Sequence, residues 1–140
     1  KRDLKKCATA QNSKLYNKHI NNKKVLKYFN ICKNFGYEDK GQCIIMNKNN
    51  IILAEDEKGT DFLINKFKQY RLKGKSFLIK TSKPLQDLTI DLPTIGPDTI
   101  ENMYSANISG IIVESKKTFI YNQNKTYYLI KKYKMFYYAV

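Results

Sequence analysis

TIDLPTIGPDT, residues 89–99, decides how this chain is read, because it lies between a strand-like run and a helix-like run. It holds two prolines, one glycine, three threonines and two aspartates in eleven positions. Upstream, KSFLIKTS (75–82) reads as a strand. Downstream, DTIENMYSA (98–106) reads as a helix opened by Thr94 or Gly96, with Pro97 near its first turn. Pro93 disfavours a central ladder position, so 83–97 reads as extended and irregular.

The same alternation extends both ways. QCIIMN (42–47) and NIILAE (50–55) read as strands joined by a tight hairpin at Lys48-Asn49-Asn50. EDEKGTDFLINKFKQYR (55–71) then shifts the apolar period from about two to about 3.6 residues. Thr60 or Asp61 caps that helix, Phe62, Leu63, Phe67 and Tyr70 form its apolar face, and Gly74 closes the element. Earlier, Ser13 caps a helix over 14–35, with Leu15, His19, Leu26, Phe29 and Cys32 on one face and Gly36 at its end. Towards the C-terminus, Asn107 takes a left-handed C-cap. GIIVES (110–115) and KTFIYN (117–122) read as a strand pair, followed by a helix over 125–135 and a strand FYYAV. The order predicts an α/β domain with a mixed sheet flanked by helices. Residues 1–12 read as a basic linker, and 13–140 as the domain.

A chain of 140 residues can bury a real core as one domain without staples. It opens on Lys1 rather than methionine, and is read as part of a longer protein. Its longest apolar run is too short to span a bilayer. Cys7, Cys32 and Cys43 are odd in number and lack a CxxC spacing, which fits reduced thiols in a cytoplasm, with Cys43 as core. The net charge of +14 raises nucleic acid as a partner. Arginine, the better fork for phosphates and bases, occurs only at Arg2 and Arg71, which argues against a nucleic-acid reader. The abundance of Lys, Asn, Ile and Tyr matches A/T-rich codons; a lysine surface would still suit an anionic membrane or substrate. His19, the only histidine, has no nucleophile near it in sequence and is assigned no catalytic role.

Chemistry is expected where strands end and helices begin. Two stretches qualify: Glu55–Asp61, ending in GTD, and Lys83–Thr99. Thr60, Thr94 and Thr99 offer hydroxyls; Asp61 and Asp91 offer carboxylates for a hard cation such as Mg²⁺; Lys80 and Lys83 could neutralise a diphosphate. Each also has a plainer reading, GTD as an N-cap and DLPTIGP as a proline-stiffened turn.

Taken together, KPLQDLTIDLPTIGPDTIE (83–101) followed by ISGIIVES (108–115), with DKGQ (39–42) and LAEDEKGTD (53–61) upstream, resembles the C-terminal domain of the LpxI family of UDP-2,3-diacylglucosamine pyrophosphatases. The resemblance runs from about residue 13 to the end. It implies hydrolysis of UDP-2,3-diacylglucosamine to UMP and 2,3-diacylglucosamine 1-phosphate, a Mg²⁺-dependent step of lipid A synthesis in Gram-negative bacteria. It implies a cytoplasmic enzyme working against the inner membrane. Asp91 matches the essential aspartate of DLPTIG, as metal ligand or general base. By the same resemblance Glu55 and Asp61 join it at the metal, and Gly59, Thr60, Lys83, Gln86, Asp87, Thr94 and Gly96 bind substrate. The acyl chains would need an apolar cleft, which the Phe and Tyr side chains could line. The family's Rossmann-like N-terminal domain has no counterpart here, and it is the expected partner of this domain; alone, the domain is expected to bind poorly or be inactive. A homodimer is left open. Lys58 stands where the family usually has an acidic residue, and Asn107 where it usually has glycine. The alternatives are a non-catalytic basic module on nucleic acid or anionic membrane, and an inactive remnant of the enzyme.

Overall fold

The computed structural model describes residues 7–11, 13–15, 20–37, 42–82 and 92–140. Its strands are β1 (Cys7–Thr9), β2 (Ser13–Leu15), β3 (Cys43–Asn47), β4 (Asn50–Ala54), β5 (Ser76–Lys80), β6 (Thr94–Ile95), β7 (Gly110–Val113), β8 (Phe119–Tyr121) and β9 (Phe136–Ala139). Its helices are α1 (Asn22–Tyr37), α2 (Thr60–Phe67), α3 (Pro97–Ser105) and α4 (Gln123–Lys132). Six strands form one mixed sheet in the order β2-β9-β7-β5-β3-β4, and three form a second in the order β1-β8-β6. In the large sheet β5, β7 and β9 run parallel, while β3 is antiparallel to both β4 and β5. The expected mixed α/β architecture is therefore present.

Alternation along the strands gives the sheet two apolar faces. Ile44, Met46, Phe77, Ile79, Ile112 and Phe136 point to one side, where α1 covers them with Val25, Tyr28 and Cys32. Cys43, Ile45, Leu78, Ile111, Val113 and Tyr137 point to the other, where Leu63, Ile64 and Phe67 of α2, Ile100 and Met103 of α3, and Leu129 and Ile130 of α4 meet them. Strands buried on both faces read as continuous apolar runs rather than alternating ones.

Several local readings need correction. The first helix starts at Asn22, and Ser13–Leu15 is a strand paired with β9. Asn21 caps that helix by accepting the Lys24 N–H at 2.8 Å, so the asparagines define its start. Its inward face is Val25, Tyr28 and Cys32, with Phe29 half-buried, whereas Leu26 is exposed. Within the stretch read as linker, Cys7–Thr9 pairs with β8, and Ala10 is fully buried. Neither Thr60 nor Asp61 caps α2: Gly59 does, at φ 90°, with no side-chain bond. Its buried residues are Leu63, Ile64 and Phe67; Phe62 and Tyr70 are exposed. The strands β7 and β8 are not partners, since β7 lies between β5 and β9 and β8 joins the small sheet.

Other readings hold. Lys48 and Asn49, both at positive φ, close the β3–β4 hairpin. Gly96 precedes α3 and Pro97 opens it. Asn107, at φ 61°, ends α3 as Asn107 N–H donates to Tyr104 O and Ile108 N–H to Met103 O, a Schellman closure. Among the described residues, no helix is long and apolar enough to cross a membrane.

Candidate active site

The carboxyl ends of β4, β5, β7 and β9 lie along one edge of the large sheet. In open α/β sheets that edge gathers ligands. Cys43 opposes Lys80 in the ladder, and the Glu55 N–H donates to the Cys43 carbonyl at 2.8 Å. Glu55, Cys43 and Lys80 thus stand in one row across three strands, on the side facing α2 and α3. About 10 Å separates the outer two backbones at ordinary strand spacing. The small buried thiol between them leaves room for the two longer side chains.

Each of those side chains has a fixed partner. Glu55 Oε1 accepts the Thr60 hydroxyl at 2.5 Å. The left-handed turn at Gly59 brings Thr60 back over the strand end, a conformation natural to glycine. Lys80 Nζ donates to the Thr94 carbonyl at 2.9 Å, pinning the start of β6 over β5. Burial pushes the Cys43 thiol well above its ordinary 9.0, outweighing the pull of Lys80, so the thiol stays protonated. Buried and protonated, it is a poor nucleophile.

A second cluster lies further along the same edge. Glu114, just beyond β7, accepts at one oxygen from Lys33 Nζ (2.9 Å), Ser82 N–H (3.0 Å) and Ser82 Oγ (2.9 Å). Lys33 also donates to the Ser82 carbonyl at 2.9 Å. Burial would raise the Glu114 pKa, but these donors outweigh it and hold the carboxyl below its ordinary 4.5. Ser82 immediately precedes the segment 83–91. Sequence reasoning assigned no role to Lys33, Ser82 or Glu114; the usable signal was a carboxylate directly after an apolar strand run.

The expected site residues divide into four groups. Glu55, Gly59, Thr60 and Thr94 come together at this corner, with Lys80. Gly96 follows β6, buried, where an added Cβ would meet Tyr121 Cβ at 3.3 Å; its N–H donates to Thr99 Oγ1, which ties that hydroxyl to the start of α3. Asp61 lies apart from this pairing, exposed in the first turn of α2, with Asn102 Nδ2 at 3.3 Å from its carboxylate. Lys83, Gln86, Asp87 and Asp91 lie outside the described residues, as does His19. Among the described residues, no group of three or more His, Cys, Asp or Glu side chains could hold a metal ion. The oxygen donors of Glu55 and Thr60 do have the hard character that Mg²⁺ selects, and Mg²⁺ commonly takes one or two carboxylates plus substrate phosphate.

Comparison with known proteins adds a separate line of argument. A family model described as the LpxI C-terminal domain matches residues 9–138. A curated protein of Caulobacter vibrioides, named UDP-2,3-diacylglucosamine pyrophosphatase LpxI, is 27% identical over 101 residues. That alignment covers 67% of this chain and 36% of the relative, so the match takes up little more than a third of the relative's length.

Proposed function

The chain belongs to the LpxI family through its C-terminal domain, and on that premise we propose that it supplies the catalytic part of a UDP-2,3-diacylglucosamine diphosphatase. The products would be UMP and 2,3-diacylglucosamine 1-phosphate, in lipid A synthesis at the cytoplasmic side of an inner membrane. The observation that carries the reading is the row at the carboxyl edge of the sheet in which the Glu55–Thr60 and Lys80–Thr94 hydrogen bonds flank Cys43, beside the start of β6. Support comes from the match over residues 9–138, which includes both GTD and DLPTIG.

In this reading Asp91 accepts a proton from the attacking water or holds the metal. Glu55 and Asp61 contribute oxygen donors, and Thr60 orients Glu55 through its hydroxyl. Gly59, Lys83, Gln86, Asp87, Thr94 and Gly96 line the substrate. Mg²⁺, when bound, would polarise a phosphoryl oxygen and make water more acidic. A bond forms from the water oxygen to phosphorus, the bond from that phosphorus to the bridging oxygen breaks, and two monophosphates leave. A domain such as the longer relative carries outside the matched region would be the partner in holding the nucleotide and lipid.

The test is an assay with labelled UDP-2,3-diacylglucosamine on three proteins: this chain, the full-length protein that carries it, and full-length Asp91→Ala. The full-length protein should release UMP only with Mg²⁺. Asp91→Ala should lower turnover by at least ~100-fold, as expected when a group stabilising the transition state is removed, with unchanged melting. Full activity in Asp91→Ala would refute the site. A basic module without catalysis would release no UMP and would bind anionic surfaces in a salt-dependent way.

A further inference from the structure

Two lysines are half-buried at the carboxyl edge of the large sheet, and they differ in one respect. Lys33 is neutralised by Glu114 at 2.9 Å. Lys80, among the described residues, is in no ion pair and donates only to the Thr94 carbonyl. An ammonium carries three donors, so two have no described protein acceptor. A half-buried cation left in that state is costly unless an anion completes it. The amino ends of α2 and α3, which follow Gly59 and Gly96, add positive potential to the same corner.

We propose that Lys80 binds the substrate's diphosphate, with one ammonium hydrogen held on the Thr94 carbonyl and the other two given to phosphate oxygens. This assignment rests on the diphosphatase reading and deepens it. The carbonyl contact fixes the direction of the ammonium before substrate arrives, so little side-chain freedom is lost on binding. The same contact links phosphate capture to the position of β6, which continues the DLPTIG motif. Lys80 is thus a substrate-binding residue that also holds the strand that begins three positions after Asp91 in the sequence.

Calorimetric titration of the full-length protein with uridine, UMP and UDP tests this, using wild type, Lys80→Met, Lys80→Gln and Lys80→Arg. Lys80→Met should lose affinity for UDP by roughly ten- to hundredfold, the range of a charged hydrogen bond, and keep its affinity for uridine. Lys80→Gln keeps a donor for Thr94 without the charge, and should show the same loss even where Lys80→Met folds poorly. Lys80→Arg should recover most of the affinity. Equal weakening of UDP and uridine in Lys80→Gln would mean a purely structural lysine, and unchanged UDP binding would also overturn the proposal. A wild type that binds UDP no better than uridine would defeat the diphosphatase reading itself, and the lysine assignment with it.

Discussion

The two ends of the parallel strands are built from different materials. At the carboxyl edge, charged side chains are held in three separate sets of short hydrogen bonds: Glu55 with the Thr60 hydroxyl, Lys80 with the Thr94 carbonyl, and Glu114 with Lys33 and Ser82. At the amino edge the closures are neutral: Asn47 Nδ2 donates to Ser76 Oγ and to the Lys73 and Lys75 carbonyls, and backbone groups finish α3. A cleft of about 390 Å³ does lie at this end, between Phe67–Leu72 and Ser105–Asn107, with Lys68 and Arg71 on its wall. Every described residue of the expected site other than Asp61 is nonetheless placed at the carboxyl edge or directly after β6. On the proposed function, the edge where ionisable side chains are held in fixed directions is the working one, and the edge closed mainly by neutral hydrogen bonds is the supporting one.

The sharpest way to separate the edges is to overfill the supporting one. Gly110 opens β7 so close to β9 that an added Cβ would sit 2.5 Å from Phe136 Cβ and 2.7 Å from its carbonyl oxygen. Gly110→Ala should destabilise by ~3 kcal/mol, the upper part of the overpacking range, read by chemical denaturation. Activity per folded molecule should survive, because nothing at the carboxyl edge is touched.

A smaller effect, with a pH signature, is expected at the working edge. The Glu114 carboxyl titrates below 4.5 in the folded state. Its contribution is therefore whole above that value and is lost as the pH falls through the folded pKa. Glu114→Gln should cost ~1–2 kcal/mol at neutral pH, in the range of hydrogen bonds to charged groups. The gap from wild type should close as the pH drops below 4.5 in urea titrations. A gap independent of pH would show that Glu114 acts by shape alone, and would weaken the contrast between the edges.

The smallest change concerns Asn107, at φ 61°. Asn107→Gly relieves a left-handed non-glycine residue and should raise stability by about 0.5 kcal/mol at most, seen as a slight rise in Tm. Uridine and UDP binding should not move, because the residue belongs to the neutral edge.

What could be read from the sequence follows the range of the interactions involved. The hairpin at Lys48 and Asn49 and the Gly96-Pro97 entry to α3 are set by neighbours in the chain, and both were legible. The three-stranded sheet was not, because runs of two or three residues carry no period to detect. The β7–β8 hairpin failed for a related reason: adjacency suggests pairing, but β7 has β5 and β9 as partners instead. Glu55, Thr60 and Thr94 could be found because they flank strand ends. Lys33 and Glu114 are 81 residues apart, and only the tertiary fold unites them. Asp91, Lys83, Gln86 and Asp87 rest on the motif alone.

The place of β9 has a consequence for how the molecule is made. It enters between β7 and β2, pairing Val113 with Ala139 on one side and Ser13 with Ala139 on the other. A nascent chain can therefore form α1 and the β3–β4 hairpin early, yet cannot close the sheet until synthesis has passed Ala139. Until then β7 presents an unpaired apolar edge, so the interval before closure is when chaperone capture or intermolecular strand pairing would compete with folding.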